Sequence, residues 1–261
     1  MPDSTPSRRY PSPFGVIYGL YAWTLFLLFG IALVPVLLLT PALLRRRAMV
    51  RVIGRCVLRL AGMRLRVVGL DRIGTPCVVV ANHASYLDGV VLQAVLPAGF
   101  SFVIKREMAA VPLAGTLLRR IGAEFVERQN RARSARDARR LLRNAERGEA
   151  LVFFPEGTFG TAVGLLRFHI GAFAAAARGE LPVVPVAIRG TRLCLPAGRI
   201  LPHPGLIEIE VLTAISGRRA AGQHESDQAA QLRNAARAAL LAALGEPDLA
   251  AAAADTGTGH A

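Results

Sequence analysis

The residues whose types and spacing point to chemistry are His83 and Asp88, within Ala81-Asn82-His83-Ala84-Ser85-Tyr86-Leu87-Asp88. On one continuous helix, five positions turn through roughly 140°, so the two side chains would not face each other. They meet if His83 lies in a loop and Asp88 lies in the first turn of the next helix. The aspartate then fixes the imidazole tautomer, and the other ring nitrogen is free to take a proton from a substrate hydroxyl. A second reading stands beside this one. Ser85-Tyr86-Leu87-Asp88 is also an S-x-x-D capping box, which would start a helix with no catalysis at all. One histidine and one aspartate, with no second His/Cys cluster nearby, make a poor ligand set, so no metal site is expected.

These residues need a scaffold. Cys77-Val78-Val79-Val80 is a short apolar run ending abruptly in polar residues, the pattern of a buried strand opening into a loop. Further strands are predicted over 65–68, 100–104, 124–126, 151–154, 183–188 and 207–212. Helices are predicted over 87–96, over 108–121 with an interruption at Pro112, over 134–147, after Gly171, and over 226–244. Alternating strands and helices argue an α/β fold with a mixed, mostly parallel central sheet flanked by helices. His83, Lys105, Arg128 and Glu156 all fall where strands end, and in an open α/β sheet such ends converge on a crevice.

The N-terminal part has a different character. Residues 1–9 are polar and basic and read as disordered. From Tyr10 to Leu44 there is no charged residue, a length of roughly 50 Å if wholly helical, against about 30 Å of bilayer hydrocarbon. Gly30 and Pro35 interrupt the run, and arginines flank it at Arg8-Arg9 and Arg45-Arg46-Arg47. The spacing predicts an apolar helical pair over 10–47, bent between 30 and 35. It would dip into one leaflet with both ends cytoplasmic; a single tilted span is the alternative. Tyr10, Tyr18, Tyr21 and Trp23 would anchor it at the interface. The segment 45–63 reads as a basic amphipathic helix lying on anionic lipid. The α/β domain is expected over 48–245, with a disordered alanine-rich tail over 246–261.

Net charge is +14, almost all of the basic excess being arginine. That balance selects anionic partners: nucleic acid, acidic lipid, a phosphorylated substrate or an acidic carrier protein. Nucleic acid fits badly, because aromatics are few and an apolar 35-residue segment precedes the basic helices. Eight arginines between Arg128 and Arg147 face only Asp137 and Glu146 on the predicted 134–147 helix. They are candidates for a membrane surface or an acyl donor. Cys56, Cys77 and Cys194 form no C-x-x-C pair and read as reduced, buried thiols of a cytosolic compartment.

Four blocks in order carry a resemblance: Asn82-His83 with Asp88, Gly122 to Arg128, Phe154-Pro155-Glu156-Gly157-Thr158, and Val184-Pro185-Val186. Together, over about residues 60–215, they resemble the glycerolipid acyltransferases that make phosphatidic acid. The apolar pair before the domain resembles the membrane-binding hairpin of bacterial members. The resemblance implies that His83 deprotonates the free hydroxyl of a lysophospholipid and that Asp88 orients it. The oxygen would attack an acyl thioester, acyl-CoA or acyl carrier protein, directly and with no other cofactor. Ser85 would be a cap, not a nucleophile. Arg128 would bind the acceptor phosphate, Glu156, Gly157 and Thr158 would line the acceptor side, and Lys105 joins them as a strand-end substrate residue.

One departure stands out. Phosphatidic-acid makers in this family usually read E-G-T-R, and here the arginine position is Phe159; the later F-K-x-G-A-F becomes Phe168-His169-Ile170-Gly171-Ala172-Phe173. Either Arg167 or His169 compensates, or the acceptor head group differs, as in another lysophospholipid or an amino-acid lyso-lipid such as an ornithine lipid. A non-catalytic lipid-binding protein with the same fold is the third alternative.

Overall fold

The computed structural model describes residues 13–127, 140, 141, 143 and 149–251. Among them, seven strands form a sheet: β1 (Met63–Val68), β2 (Val78–Ala81), β3 (Phe100–Lys105), β4 (Glu124–Val126), β5 (Ala150–Phe153), β6 (Val183–Arg189) and β7 (Gly205–Val211). Their order is β1-β7-β6-β2-β5-β3-β4. β6, β2, β5, β3 and β4 are mutually parallel, whereas β7 runs antiparallel to β6 and carries β1 parallel to itself. The sheet is thus mixed and mostly parallel, and five strands deliver their carboxyl ends to one edge.

The helices are α1 (Pro13–Leu39), α2 (Leu43–Leu60), α3 (Asp88–Val95), α4 (Ala114–Arg120), α5 (Gly171–Arg178), the single turn α6 (Thr191–Cys194) and α7 (Glu225–Leu244). β2 lies in the middle with all four residues buried, as a strand covered on both faces must. Its side chains alternate between two core layers. Val79 and Ala81 pack with Leu58, Val91 and Leu92 on one face. Val78 and Val80 pack with Phe173, Leu232 and Ala236 on the other.

The N-terminal run differs from its expected form. α1 continues unbroken through Gly30 and Pro35. An internal proline deletes one backbone donor, and a helix of 27 residues buried at Leu33 and Leu37 absorbs that loss. The chain turns instead at residues 40–42. Thr40 precedes Pro41, which disfavours helical geometry there, and the Thr40 N–H and hydroxyl both donate to the Val36 carbonyl. The antiparallel partner of α1 is the arginine-rich α2: the Tyr18 and Tyr21 hydroxyls donate to the carbonyls of Ala61 and Leu60.

The flanking arginines are not simply a membrane-facing charge. Arg46 donates to the carbonyls of Arg120 and Pro41. Arg47 is 2% exposed. It donates to Ile121 O at 2.8 Å, Ser101 Oγ at 2.8 Å and Gly122 O at 3.2 Å. A spacing rule sees a charged triplet, but two of its members are consumed in fixing α2 to the sheet edge. Cys77 and Cys194 are buried, whereas Cys56 is exposed on α2, because the helical period carries it off the packed stripe.

Residues 246–251 are expected to belong to a disordered tail, and 252–261 lie outside the described residues. Residues 246–251 pack back on the domain: Leu165 N–H donates to Pro247 O, Leu249 N–H donates to Leu165 O, and Arg237 grips Asp248 with two 2.6 Å bonds. That grip holds the Asp248 carboxyl well below the usual carboxylate range. Arg128 and most of the expected 134–147 helix lie outside the described residues. Arg140, which is described, is engaged within the fold, donating to Phe125 O and pairing with Glu124 at 2.8 Å.

Candidate active site

β2 ends at Ala81, and the next residue pins the loop. Asn82 is buried; its Oδ1 accepts the Ile188 N–H at 2.7 Å and its Nδ2 donates to Ile188 O at 2.9 Å. The end of β2 is thereby fastened to β6 by a side chain imitating a strand. His83 follows in the loop, and Asp88 opens α3.

The imidazole and the carboxylate meet, with His83 Nδ1 2.8 Å from Asp88 Oδ2. The same oxygen accepts the N–H groups of Ala84 at 2.7 Å and Ser85 at 2.8 Å, and Asp88 is 0% exposed. A carboxylate in that position is an acceptor, so Nδ1 carries the proton and Nε2 is left as the basic nitrogen. The capping reading is met only in part: Ser85 N–H donates to Asp88, one of the two bonds of a capping box, but the cap position of α3 is Leu87 and no side chain caps it. Ser85 Oγ accepts from Leu87 N–H and donates to Leu195 O at 2.6 Å. Both functions of its hydroxyl are taken, and it is fully buried.

Glu156, in the loop after β5, is buried beside this pair. Its Oε1 accepts the backbone N–H of His83 at 2.6 Å and its Oε2 accepts that of Leu166 at 2.9 Å. Burial pushes its pKa up from 4.5 to about 7, against the pull of those two N–H groups, with Asp88 and Glu246 adding to the rise. Glu156 therefore fastens the His83 loop to the 164–168 segment.

Aromatic rings enclose the imidazole. Phe154 stacks on His83 with centroids 4.4 Å apart, and Phe159 lies at 4.5 Å on a tilted plane. Tyr86 meets Phe159 edge-on at 4.8 Å. A cavity of about 140 Å³ opens here, lined by His83, Glu156, Thr158, Phe159, Arg192 and Leu249 among others. Gly164 lets the C-terminal segment close one wall, since a Cβ there would sit 2.6 Å from the Leu249 side chain.

Of the residues picked out by sequence, His83, Asp88, Glu156 and Thr158 come together. Gly157, at φ +73°, makes the turn behind them. Lys105 is exposed at the end of β3 and does not line the cavity, and neither do Arg167 or His169. Two residues escaped sequence reasoning. Asn82 looked like part of a motif without a task of its own. Arg192 follows β6 by three residues, and the strand-end rule applied to β6 would have reached it.

The fold and the site define the class first: an α/β protein whose histidine–aspartate pair, at the carboxyl ends of central parallel strands, is arranged to take a proton. Comparison with known proteins narrows this. The family model described as Acyltransferase matches residues 64–189. A 1-acyl-sn-glycerol-3-phosphate acyltransferase of Saccharomyces cerevisiae is 30% identical over 159 residues, 59% of this chain and 52% of the yeast protein. The lyso-ornithine lipid O-acyltransferase of Brucella abortus is 34% identical over 167 residues, 59% of this chain and 62% of that protein. The chain thus spans between about half and two thirds of the length of these relatives. In fold, the chain resembles the crystal structure of the 1-acyl-sn-glycerophosphate acyltransferase PlsC of Thermotoga maritima. The TM-score is 0.66 at 20% identity, covering 85% of this chain and 95% of that one. Over residues 64–189 the α/β domain thus matches the acyltransferase family model, and the relatives named here are acyltransferases of lyso-lipids.

Proposed function

We propose that the protein is a membrane-associated O-acyltransferase that moves a fatty acyl group from an acyl thioester to the free hydroxyl of a lyso-lipid. The observation that carries this is the His83–Asp88 pair on a cavity wall, in a domain that matches this family model. In the proposed step, His83 Nε2 takes the hydroxyl proton as the oxygen forms an ester bond to the acyl carbon. The carbon–sulfur bond breaks, and the departing thiolate of coenzyme A or acyl carrier protein recovers the proton from the imidazolium. Asp88 holds the tautomer and stabilises the cation. Ser85 takes no part, so there is no acyl-enzyme. On this reading Thr158 and Glu156 face the acceptor; Lys105, off the cavity wall, would meet only a part of the substrate outside it, and Arg128 is a substrate contact that the resemblance alone implies.

The first acceptor to test is 1-acylglycerol-3-phosphate, the substrate named for the yeast relative, giving phosphatidic acid. A lyso-lipid with another head group is favoured by a specific feature, Phe159 packed on His83 where an arginine is usual. Mass spectrometry of products from purified protein, an acyl-CoA or acyl carrier protein donor and a panel of lyso-lipids tests the reading. An acylated lyso-lipid is expected, and free fatty acid as the sole product would contradict it.

Membrane association is supported by α1. Its buried stripe is Gly15, Gly19, Ala22, Leu33 and Leu37, while Phe14, Ile17, Leu20, Leu28 and Ile31 are exposed. Both halves pack on the domain: Trp23 Nε1 donates to Ile200 O at 2.7 Å, and Leu33 and Leu37 cluster with Ile121. A helix held along its length by the domain fits lying in one leaflet, on the cytoplasmic face, better than crossing the bilayer.

A further inference from the structure

The site cavity holds a charge pattern that the acyl-transfer step does not use. Among the described residues lining it, Arg192 is the one arginine or lysine. Its position is built: Gly190 sits at φ +85° where a Cβ would lie 2.0 Å from Leu206 O, so the backbone is pressed on β7 as the α6 turn begins. Arg192 donates to Ala162 O at 2.7 Å. It also donates to Glu246 Oε2 at 3.3 Å, a long bond, and its Nε is buried without a hydrogen-bond partner. Glu246 belongs to the C-terminal segment that closes the cavity, and its charge reaches Glu156. Position 159, on the same cavity, is the uncharged Phe159.

This is a poor receptor for a phosphate monoester, which carries about −1.5 to −2 at neutral pH. One guanidinium already shared with the Glu246 carboxylate, in a cavity that Glu156 also lines, offers little net positive charge. A head group carrying both signs matches it, because each charge finds a partner and neither is buried alone. We propose that Arg192 and Glu246 form the acceptor's head-group subsite and that it takes a zwitterionic lyso-lipid, its anionic oxygens on Arg192 and its ammonium on Glu246. The proposal rests on the acyl-transfer reading for its orientation, with the reactive hydroxyl toward His83.

The experiment compares lysophosphatidic acid, lysophosphatidylethanolamine and a lyso-ornithine lipid as acceptors with one acyl donor in detergent. The wild type should prefer one or both zwitterions by about tenfold or more in kcat/KM. The two zwitterions separate a phosphodiester anion from a carboxylate. Glu246→Gln should raise KM for the zwitterions about tenfold and lower it for lysophosphatidic acid, whereas Glu246→Asp should keep the preference. Arg192→Gln should raise KM for all three. A wild-type preference for lysophosphatidic acid, or an acceptor ratio unchanged in Glu246→Gln, overturns the subsite. Calorimetric titration with short-chain forms of the same lipids keeps the two readings apart. Zwitterion binding that weakens in Glu246→Gln, with no turnover in the wild type, would sink acyl transfer and sustain the subsite. Equal binding of all three would overturn the subsite alone.

Discussion

The backbone N–H of His83 donates to Glu156 Oε1 at 2.6 Å. A side chain from the loop after β5 therefore holds the main chain of the loop after β2, while Asp88 holds the imbedded imidazole of the same residue at 2.8 Å. His83 is fixed at both its backbone and its ring, by carboxylates from two different elements. Such double fixing is what a base needs if its free nitrogen is to meet a substrate hydroxyl without reorganisation.

Glu156→Gln tests the backbone clamp. The amide oxygen satisfies one of the two N–H groups, but the amide nitrogen then faces the other, so one bond is lost. Acyl transfer should fall about tenfold with the fold retained. The pH dependence has a definite sign. A carboxyl raised from 4.5 to about 7 favours the folded state most below pH 4.5 and loses that advantage as pH rises through 7. The loss is about 3 kcal/mol in all. The stability of wild type relative to Glu156→Gln should therefore decline between pH 4.5 and 8 in paired melting curves. A difference that grows with pH would contradict the raised pKa.

Arg47→Ala should destabilise the domain by about 3 kcal/mol, because it removes a buried, packed side chain and strands the Ile121 carbonyl, although Ser101 Oγ and Gly122 O keep their own bond. Arg45→Ala, at the start of the same triplet, should cost under about 0.5 kcal/mol as an ordinary surface change. Chemical denaturation of the two variants checks this, and equal effects would show that the arginines act only as membrane-facing charge.

Trp23 is the single tryptophan and sits near the middle of α1. If α1 lies in one leaflet, lipid-borne quenchers near the head groups should quench Trp23 more than quenchers at the chain ends in anionic liposomes. A spanning α1 would place Trp23 close to the bilayer centre and reverse the order.

The strands were legible because each is a short apolar run cut off by polar residues. β4 falls on 124–126 as expected, and β2, β3 and β6 fall within a residue or so of theirs. The meeting of His83 and Asp88 was legible because a loop-to-helix transition is the one local geometry that joins residues five apart. What was not legible is set by contacts distant in sequence. The bend expected at Gly30–Pro35 moved to 40–42 because Leu33 and Leu37 pack on Ile121. Arg47 reads as surface charge until the carbonyls of 121 and 122 are seen around it. Leu249 reads as tail until Gly164 receives it. Arg192 was within reach of the strand-end rule, but its place beside His83 in particular comes from β6 pairing with β2, and strand order cannot be read from a single run.

The central claim is that His83 is the base and Asp88 its orienter, and the most direct test is acyl transfer by His83→Ala. A purified variant with wild-type melting and liposome binding should lose about 10²–10⁴-fold in kcat, with KM for the lyso-lipid little changed. Asp88→Asn, which keeps the shape but not the tautomer, should fall in the same range. Turnover by His83→Ala near that of wild type would contradict the account.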